Sequence, residues 1–119
     1  MFEVWERFDA RKARSLMNRH RKAVRREHRS LRQLLRSNGH DRADPSIVEQ
    51  ISILRQSYRL ALYDQVQVCS ALTRDFFAIN LRHFTDAFLA QSRLFAACQE
   101  VARTLNQVGL TSISKQDEK

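Results

Sequence analysis

The chain has 119 residues, of which 43% are hydrophobic and 29% charged, a composition that favours one globular or bundled domain and argues against a disordered chain. Its 21 Lys and Arg residues outnumber 13 Asp and Glu, and the net charge of +8 indicates an anionic partner. No run approaches the roughly 18 apolar residues of a membrane span, and the N-terminus has no apolar signal region, so we expect a cytoplasmic protein.

Glycine and proline are scarce, with two Gly and one Pro in the whole chain. Strands and tight turns need more of these residues, so the sequence predicts an all-α fold. We expect one helical domain over residues 1–109, formed by a long antiparallel hairpin, and a polar tail over 110–119. The hairpin consists of a helix over about 2–36, a loop over 37–44 and a second helix over about 45–108.

The first predicted helix carries the excess charge, because residues 1–42 hold 13 Lys or Arg against 5 Asp or Glu. At 100° per residue, Met17, Val24 and Leu31 fall on one side of this helix. Like charges four residues apart cost an isolated helix about 0.2–0.5 kcal/mol per pair, and an anionic ligand would relieve that repulsion. Nine basic residues are therefore predicted to bind an anionic surface from the opposite side: Arg7, Arg11, Arg14, Arg21, Lys22, Arg25, Arg29, Arg32 and Arg36.

The second predicted helix begins at Asp44 and Pro45, a pair suited to an N-cap followed by a first helical position. Apolar residues then recur every three or four positions from Ile47 to Val108, which predicts one helix about 96 Å long. Pairing with the shorter first helix would leave roughly 28 residues uncovered. In the alternative, the helix breaks near Asn80 and residues 81–108 fold back as a third helix in a compact monomer, although no Gly or Pro marks that break.

A second apolar stripe lies on the predicted uncovered part of this helix. An exposed aromatic patch of this kind marks an interface between proteins. We therefore predict a homodimer, formed through Phe77, Leu81, Phe84, Phe88, Phe95 and Ala102.

The sequence carries no recognisable catalytic or metal-binding pattern. The four His residues include no pair four positions apart, and the two Cys lack the spacing of metal ligands. No glycine-rich phosphate loop and no converging Ser/His/Asp or Cys/His group can be recognised. We expect no enzyme activity, metal or cofactor, and we interpret His20 and His83, which fall on core stripes, as structural.

Two stretches resemble the second and third long helices of the BAR (Bin/Amphiphysin/Rvs) domain superfamily. Residues 5–14 (WERFDARKAR) resemble the aromatic-Asp run near the start of the second BAR helix. Residues 54–105, with the Leu62-Tyr63 pair and the Phe-rich segment 76–95, resemble the passage into the last BAR helix. The resemblance implies a dimer of long antiparallel coiled coils, peripheral to membranes, whose basic face lies on a curved anionic membrane.

Two other anionic partners fit the same basic face. Nucleic acid would give the same steep salt dependence, and an acidic protein would make the chain a scaffold subunit in a hetero-oligomer. The predicted face extends about 44 Å, from Arg7 to Arg36. Along it only Asn18 and Gln33 could read base edges, and no aromatic platform is available for stacking. The sequence therefore favours an anionic phospholipid membrane over nucleic acid.

Overall fold

A computed structural model describes residues 8–38 and 44–117, and their side chains as far as residue 108. Three α-helices account for most of this part of the chain: α1 (Ala10–Ser37), α2 (Pro45–Arg74) and α3 (Leu81–Asp117). A single turn of 3-10 helix, Phe76–Ala78, lies between α2 and α3. The predicted all-α class is confirmed, whereas the predicted pair of long helices is wrong.

The first helix begins at Ala10 rather than near Phe2, because Asp9 caps it. The Asp9 carboxylate accepts hydrogen bonds from the backbone N–H groups of Arg11 at 3.0 Å and Lys12 at 3.3 Å. These N–H groups have no partner within the helix, so the cap satisfies them. The predicted binding residue Arg7 lies outside the described residues.

The start of α2 is the one that the sequence predicted. The Asp44 carboxylate accepts a hydrogen bond from the backbone N–H of Ser46 at 2.8 Å, and Pro45 is the first helical residue. Proline is favoured there because its missing N–H would have had no helical partner.

The continuous helix predicted over 45–108 is wrong, because α2 ends at Arg74. The backbone N–H of Asp75 donates to the carbonyl of Ala71 at 2.9 Å and closes the last turn. After the 3-10 turn, Ile79 has an extended backbone with φ −100° and ψ 136°. The apolar spacing of three and four continues across this interruption, which is why periodicity alone did not reveal it.

Asn80 starts the third helix. Its side-chain oxygen accepts hydrogen bonds from the backbone N–H groups of Arg82 at 2.9 Å and His83 at 3.4 Å. Asparagine is among the preferred N-cap residues, so a helix can restart here without Gly or Pro. The structure therefore has the break near Asn80 that was the alternative to a continuous helix.

The third helix extends to Asp117, past the predicted end at residue 108. The backbone of 110–117 is helical, so the predicted end of the helix is too early by about nine residues. A glycine inside a helix costs about 1 kcal/mol relative to alanine, and Gly109 alone is therefore not a stop signal.

Helices α1 and α2 are antiparallel. A ring nitrogen of His20 lies 2.6 Å from the Asp64 carboxylate. Nearer the connection between the helices, the Gln50 amide donates to the Glu27 carboxylate at 2.9 Å. The partly buried His20 therefore has the structural role that the sequence predicted.

Helices α1 and α3 are parallel. Arg14 lies 3.7 Å from Asp86 near their beginning, and His28 lies 2.8 Å from the Thr104 hydroxyl further along. The three helices thus run up, down and up in a bundle of 57 × 26 × 21 Å.

One hydrophobic core joins the three helices. The fold-back places residues 81–108 in this core, so the uncovered overhang predicted from two unequal helices does not exist. The core residues of α3, among them Leu94, Cys98 and Val101, are thereby removed from water within the same chain and without a partner. The fully buried side chains include Met17, Val24 and Leu31 from α1, Ile47, Leu54 and Val68 from α2, and Leu94, Cys98 and Val101 from α3.

Candidate functional site

The basic residues predicted on the first helix lie together on its outer side. Seven of them are exposed and Arg21 is half-buried. The core residues of α1 occupy the opposite side, so the cationic heads point away from the bundle. We call this surface the arginine face; its described members are Arg11, Arg14, Arg21, Lys22, Arg25, Arg29, Arg32 and Arg36.

Little of this charge is neutralised inside the described part of the chain. Arg14 and Asp86 form an ion pair at 3.7 Å, with 57% and 37% of their side chains exposed. An exposed pair of this length contributes little to stability. From Arg21 to Arg36, no member of the arginine face has a salt bridge with a described acidic residue. The face therefore presents a row of basic residues over about 38 Å, and those from Arg21 onward, over about 22 Å, have no salt bridge with a described acidic residue.

Two open clefts lie along the arginine face. The first, of about 550 Å³, is at the beginning of α1 and is bounded by α3. The second, of about 360 Å³, lies near the end of α1. The first is lined by Ala10, Arg11, Arg14, Ser15, Asn18, Arg82, His83 and Asp86, and the second by Arg25, His28, Arg29, Arg32, Gln33, Arg36 and Glu100.

Sequence reasoning missed Arg82 as a member of the charged surface. In a continuous second helix it would not have been assigned to the arginine face, but the break at Asn80 brings the first turn of α3 beside α1. His83, interpreted from the sequence as structural, is partly buried and its Nε2 accepts a hydrogen bond from Arg11 Nε at 3.4 Å. The capping pattern at Asn80 was the signal in the sequence that could have revealed this arrangement.

His28 lies below the second cleft and is nearly buried. Its Nε2 is 2.8 Å from the Thr104 hydroxyl. Burial holds the pKa of His28 below its ordinary value, and the nearby charge of Arg32 acts in the same direction, while Glu100 opposes them. The neutral His28 side chain therefore links α1 to α3 beneath the arginine face.

The residues predicted to form a dimer interface lie at the turn before α3 and along α3. Phe77 is 99% exposed and Leu81 is 75% exposed, while Phe88 and Phe95 are each 47% exposed. Phe84 and Ala102 are half-buried. The structure therefore places these six residues on the surface of a three-helix bundle, and not on an uncovered helix.

The aromatic residues near the α2–α3 turn contact one another. The rings of Phe76 and Phe84 meet edge to face with centroids 5.1 Å apart, and those of Phe84 and Phe88 stack at 6.2 Å. They border a cleft of about 260 Å³ whose polar side includes Gln91. The Gln91 side chain accepts a hydrogen bond from Gln65 at 3.1 Å across the α2–α3 contact. This side of the molecule is predominantly apolar, in contrast to the arginine face.

Among the described residues, no group of three or more His, Cys, Asp or Glu side chains could hold a metal ion. No described helix is long and apolar enough to cross a bilayer. Comparison of the chain with protein-family models, with curated proteins and with solved structures gives no match.

Proposed function

We propose that this protein is a non-enzymatic helical module that binds anionic membrane surfaces through the arginine face. The observation that carries the proposal is the row of exposed cations on one side of α1, of which those from Arg21 onward have no salt bridge with a described acidic residue. Each basic residue near an anionic leaflet contributes about 1 kcal/mol, so seven exposed ones supply roughly 5–7 kcal/mol. This corresponds to dissociation constants from micromolar to submillimolar, without insertion of any side chain.

The shape of the row favours a membrane over duplex nucleic acid. A lipid leaflet is locally flat and can meet all the cations of a straight helix at once. A DNA duplex turns once in about 34 Å, so its strands would cross a row of this length at only a few points. The arginine face also presents few side chains that could read bases, with Asn18 and Gln33 at its two clefts.

Charge reversal in the middle of the face provides the test. We expect the triple variant Arg21→Glu, Arg25→Glu and Arg29→Glu to lose sedimentation with phosphatidylserine vesicles. The matched control reverses Arg55, Arg59 and Arg103, which are exposed on α2 and α3. Both variants change the net charge equally, so a difference in binding between them reports the location of the charge.

Three outcomes of this experiment would contradict the proposal. Equal binding by the two triple variants would show that net charge acts without regard to the arginine face. Failure of the native protein to sediment at low salt, together with binding to duplex DNA or RNA, would assign the face to nucleic acid. Binding only to an acidic protein would assign it to a scaffold.

We also propose that the module acts as a homodimer joined through its apolar side. Residues 43–119 hold 8 Lys or Arg and 8 Asp or Glu, so two copies can meet on α2 and α3 without the repulsion that two arginine faces would suffer. The exposed Phe88 and Phe95 would lose their contact with water there. A dimer whose two arginine faces reach one membrane would bind it with raised avidity.

The dimer is tested by light scattering of the Phe88→Asp variant, with Leu60→Asp as the control on the exposed side of α2. We expect Phe88→Asp to halve the mass while the helical circular dichroism stays unchanged. An unaltered mass would refute this interface. The resemblance to BAR domains further predicts tighter binding to small, highly curved vesicles than to large ones, and that preference stays a prediction.

A further inference from the structure

We infer that the cleft between the start of α1 and the first turn of α3 binds a phosphomonoester group, such as the headgroup of a phosphorylated lipid. The inference rests on the proposed function, since it names the chemical class that one part of the arginine face would select. Its basis is that three arginines from two helices converge on this cleft as lining residues: Arg11 and Arg14 on α1 and Arg82 on α3.

The charge of the cleft suits a dianion. Its described lining holds three arginines and one carboxylate, that of Asp86, which lies 3.7 Å from Arg14 and leaves most of the Arg14 guanidinium free to bind. Guanidinium groups bind phosphate oxygens in pairs through parallel N–H donors, and a phosphomonoester offers three such oxygens. A phosphodiester, as in phosphatidylserine or nucleic acid, carries one charge and fewer free oxygens.

The uncharged lining adds hydrogen-bonding groups. The Ser15 hydroxyl and the Asn18 amide line the same cleft, where they could bind the hydroxyl groups of a headgroup. His83 accepts the Nε–H of Arg11 at 3.4 Å, which holds that arginine toward α3. The cleft volume of about 550 Å³ falls within the range of small-molecule sites.

The second cleft lacks this convergence. Its four arginines, from Arg25 to Arg36, all come from α1 and spread along roughly 16 Å of one helix. The α3 residue that lines it is the acidic Glu100. The second cleft therefore adds to the general attraction of anions to the arginine face. The first cleft combines that attraction with arginines supplied by two different helices.

Vesicle binding at matched surface charge tests the inference. The probes are phosphatidylcholine vesicles containing phosphatidylserine, or containing phosphatidylinositol 4,5-bisphosphate at an equal total negative charge. We expect tighter binding to the bisphosphate vesicles. Arg82→Gln should weaken binding to the phosphatidylserine vesicles about fivefold, as the loss of one cation does, and should weaken binding to the bisphosphate vesicles about tenfold more than that, so that most of the preference is lost. Arg93→Gln, an exposed α3 variant outside both clefts, should reduce binding to the two vesicles equally.

A variant of opposite sign guards against loss of folding as an explanation. Asp86→Asn removes the one carboxylate among the described residues that line the cleft and should raise affinity for the bisphosphate vesicles about fivefold. Equal effects of Arg82→Gln and Arg93→Gln, or no preference at matched charge, would overturn the cleft assignment while the proposed membrane binding stands.

Titration with soluble inositol 1,4,5-trisphosphate separates a lipid from a free ligand. Tight binding of the soluble compound, abolished by Arg82→Gln and without any vesicle binding, would support the cleft as a site for a free phosphorylated ligand and would refute the proposed membrane function. Absence of binding to the vesicles and to the soluble compound would overturn both.

Discussion

Neutralising Arg25 should stabilise the protein and weaken its binding at the same time. Arg25 lies four residues from both Arg21 and Arg29 and three residues from Lys22. Each like-charged pair at this spacing costs about 0.2–0.5 kcal/mol, so Arg25→Gln should raise the free energy of unfolding by roughly 0.6–1.5 kcal/mol at low salt. Arginine and glutamine have similar helix propensities, so charge dominates the difference.

The assay is urea unfolding followed by circular dichroism at low and high salt. The gain should disappear at high salt, because the Debye length falls to about 3 Å at 1 M. Arg93→Gln is the control, since no charged residue lies three or four positions from Arg93 on α3. The same Arg25→Gln variant should bind phosphatidylserine vesicles about fivefold more weakly. A lower free energy of unfolding in the variant, or a stabilisation that persists at high salt, would refute the charge repulsion from which an anionic ligand was inferred.

Three further measurements address the fold. Asn80→Ala should lower the free energy of unfolding by about 1 kcal/mol in urea, and Asn80→Asp should not, because only the alanine lacks the capping oxygen. Burial raises the pKa of the Cys98 thiol to about 11, so this thiol should react with Ellman's reagent only after unfolding; rapid labelling of the native protein would contradict the core position. The pKa of His28 is lower in the folded protein than in the unfolded chain, so the unfolded chain binds a proton at this side chain at a higher pH. The free energy of unfolding should therefore decrease as the pH falls below about 6.5, and His28→Gln should make that decrease smaller.

The helical class and the two sides of α1 could be predicted from the sequence. Met17, Val24 and Leu31 recur at helical spacing, and the structure buries all three. The same geometry forces the basic residues to the opposite side, because side-chain direction in a helix depends only on position along the chain. Local capping at Asp44 was equally predictable, since the carboxylate that caps α2 is adjacent to the helix it starts.

The fold-back of α3 could not be chosen from periodicity. Residues 75–80 keep the apolar spacing of three and four that a continuous helix would have. The one signal in this segment that favours a break is the N-cap residue Asn80. The choice between a continuous helix and a break depends on whether the apolar core residues of 81–108 are buried by the same chain or by a partner. That is a comparison of tertiary contacts, and no short segment contains it.

Sequence by itself thus determined the all-α class, the core stripe of α1 and the row of exposed arginines, because each follows from the composition or from the spacing of residues within one helix. Tertiary structure decided the number of helices and the composition of the clefts. Arg82 is 68 positions beyond Arg14, and only the packing of α3 beside α1 brings both to one cleft. The charge of the arginine face therefore follows from the local sequence of α1. The meeting of Arg14 and Arg82 in one cleft arises from contacts between residues distant in the chain.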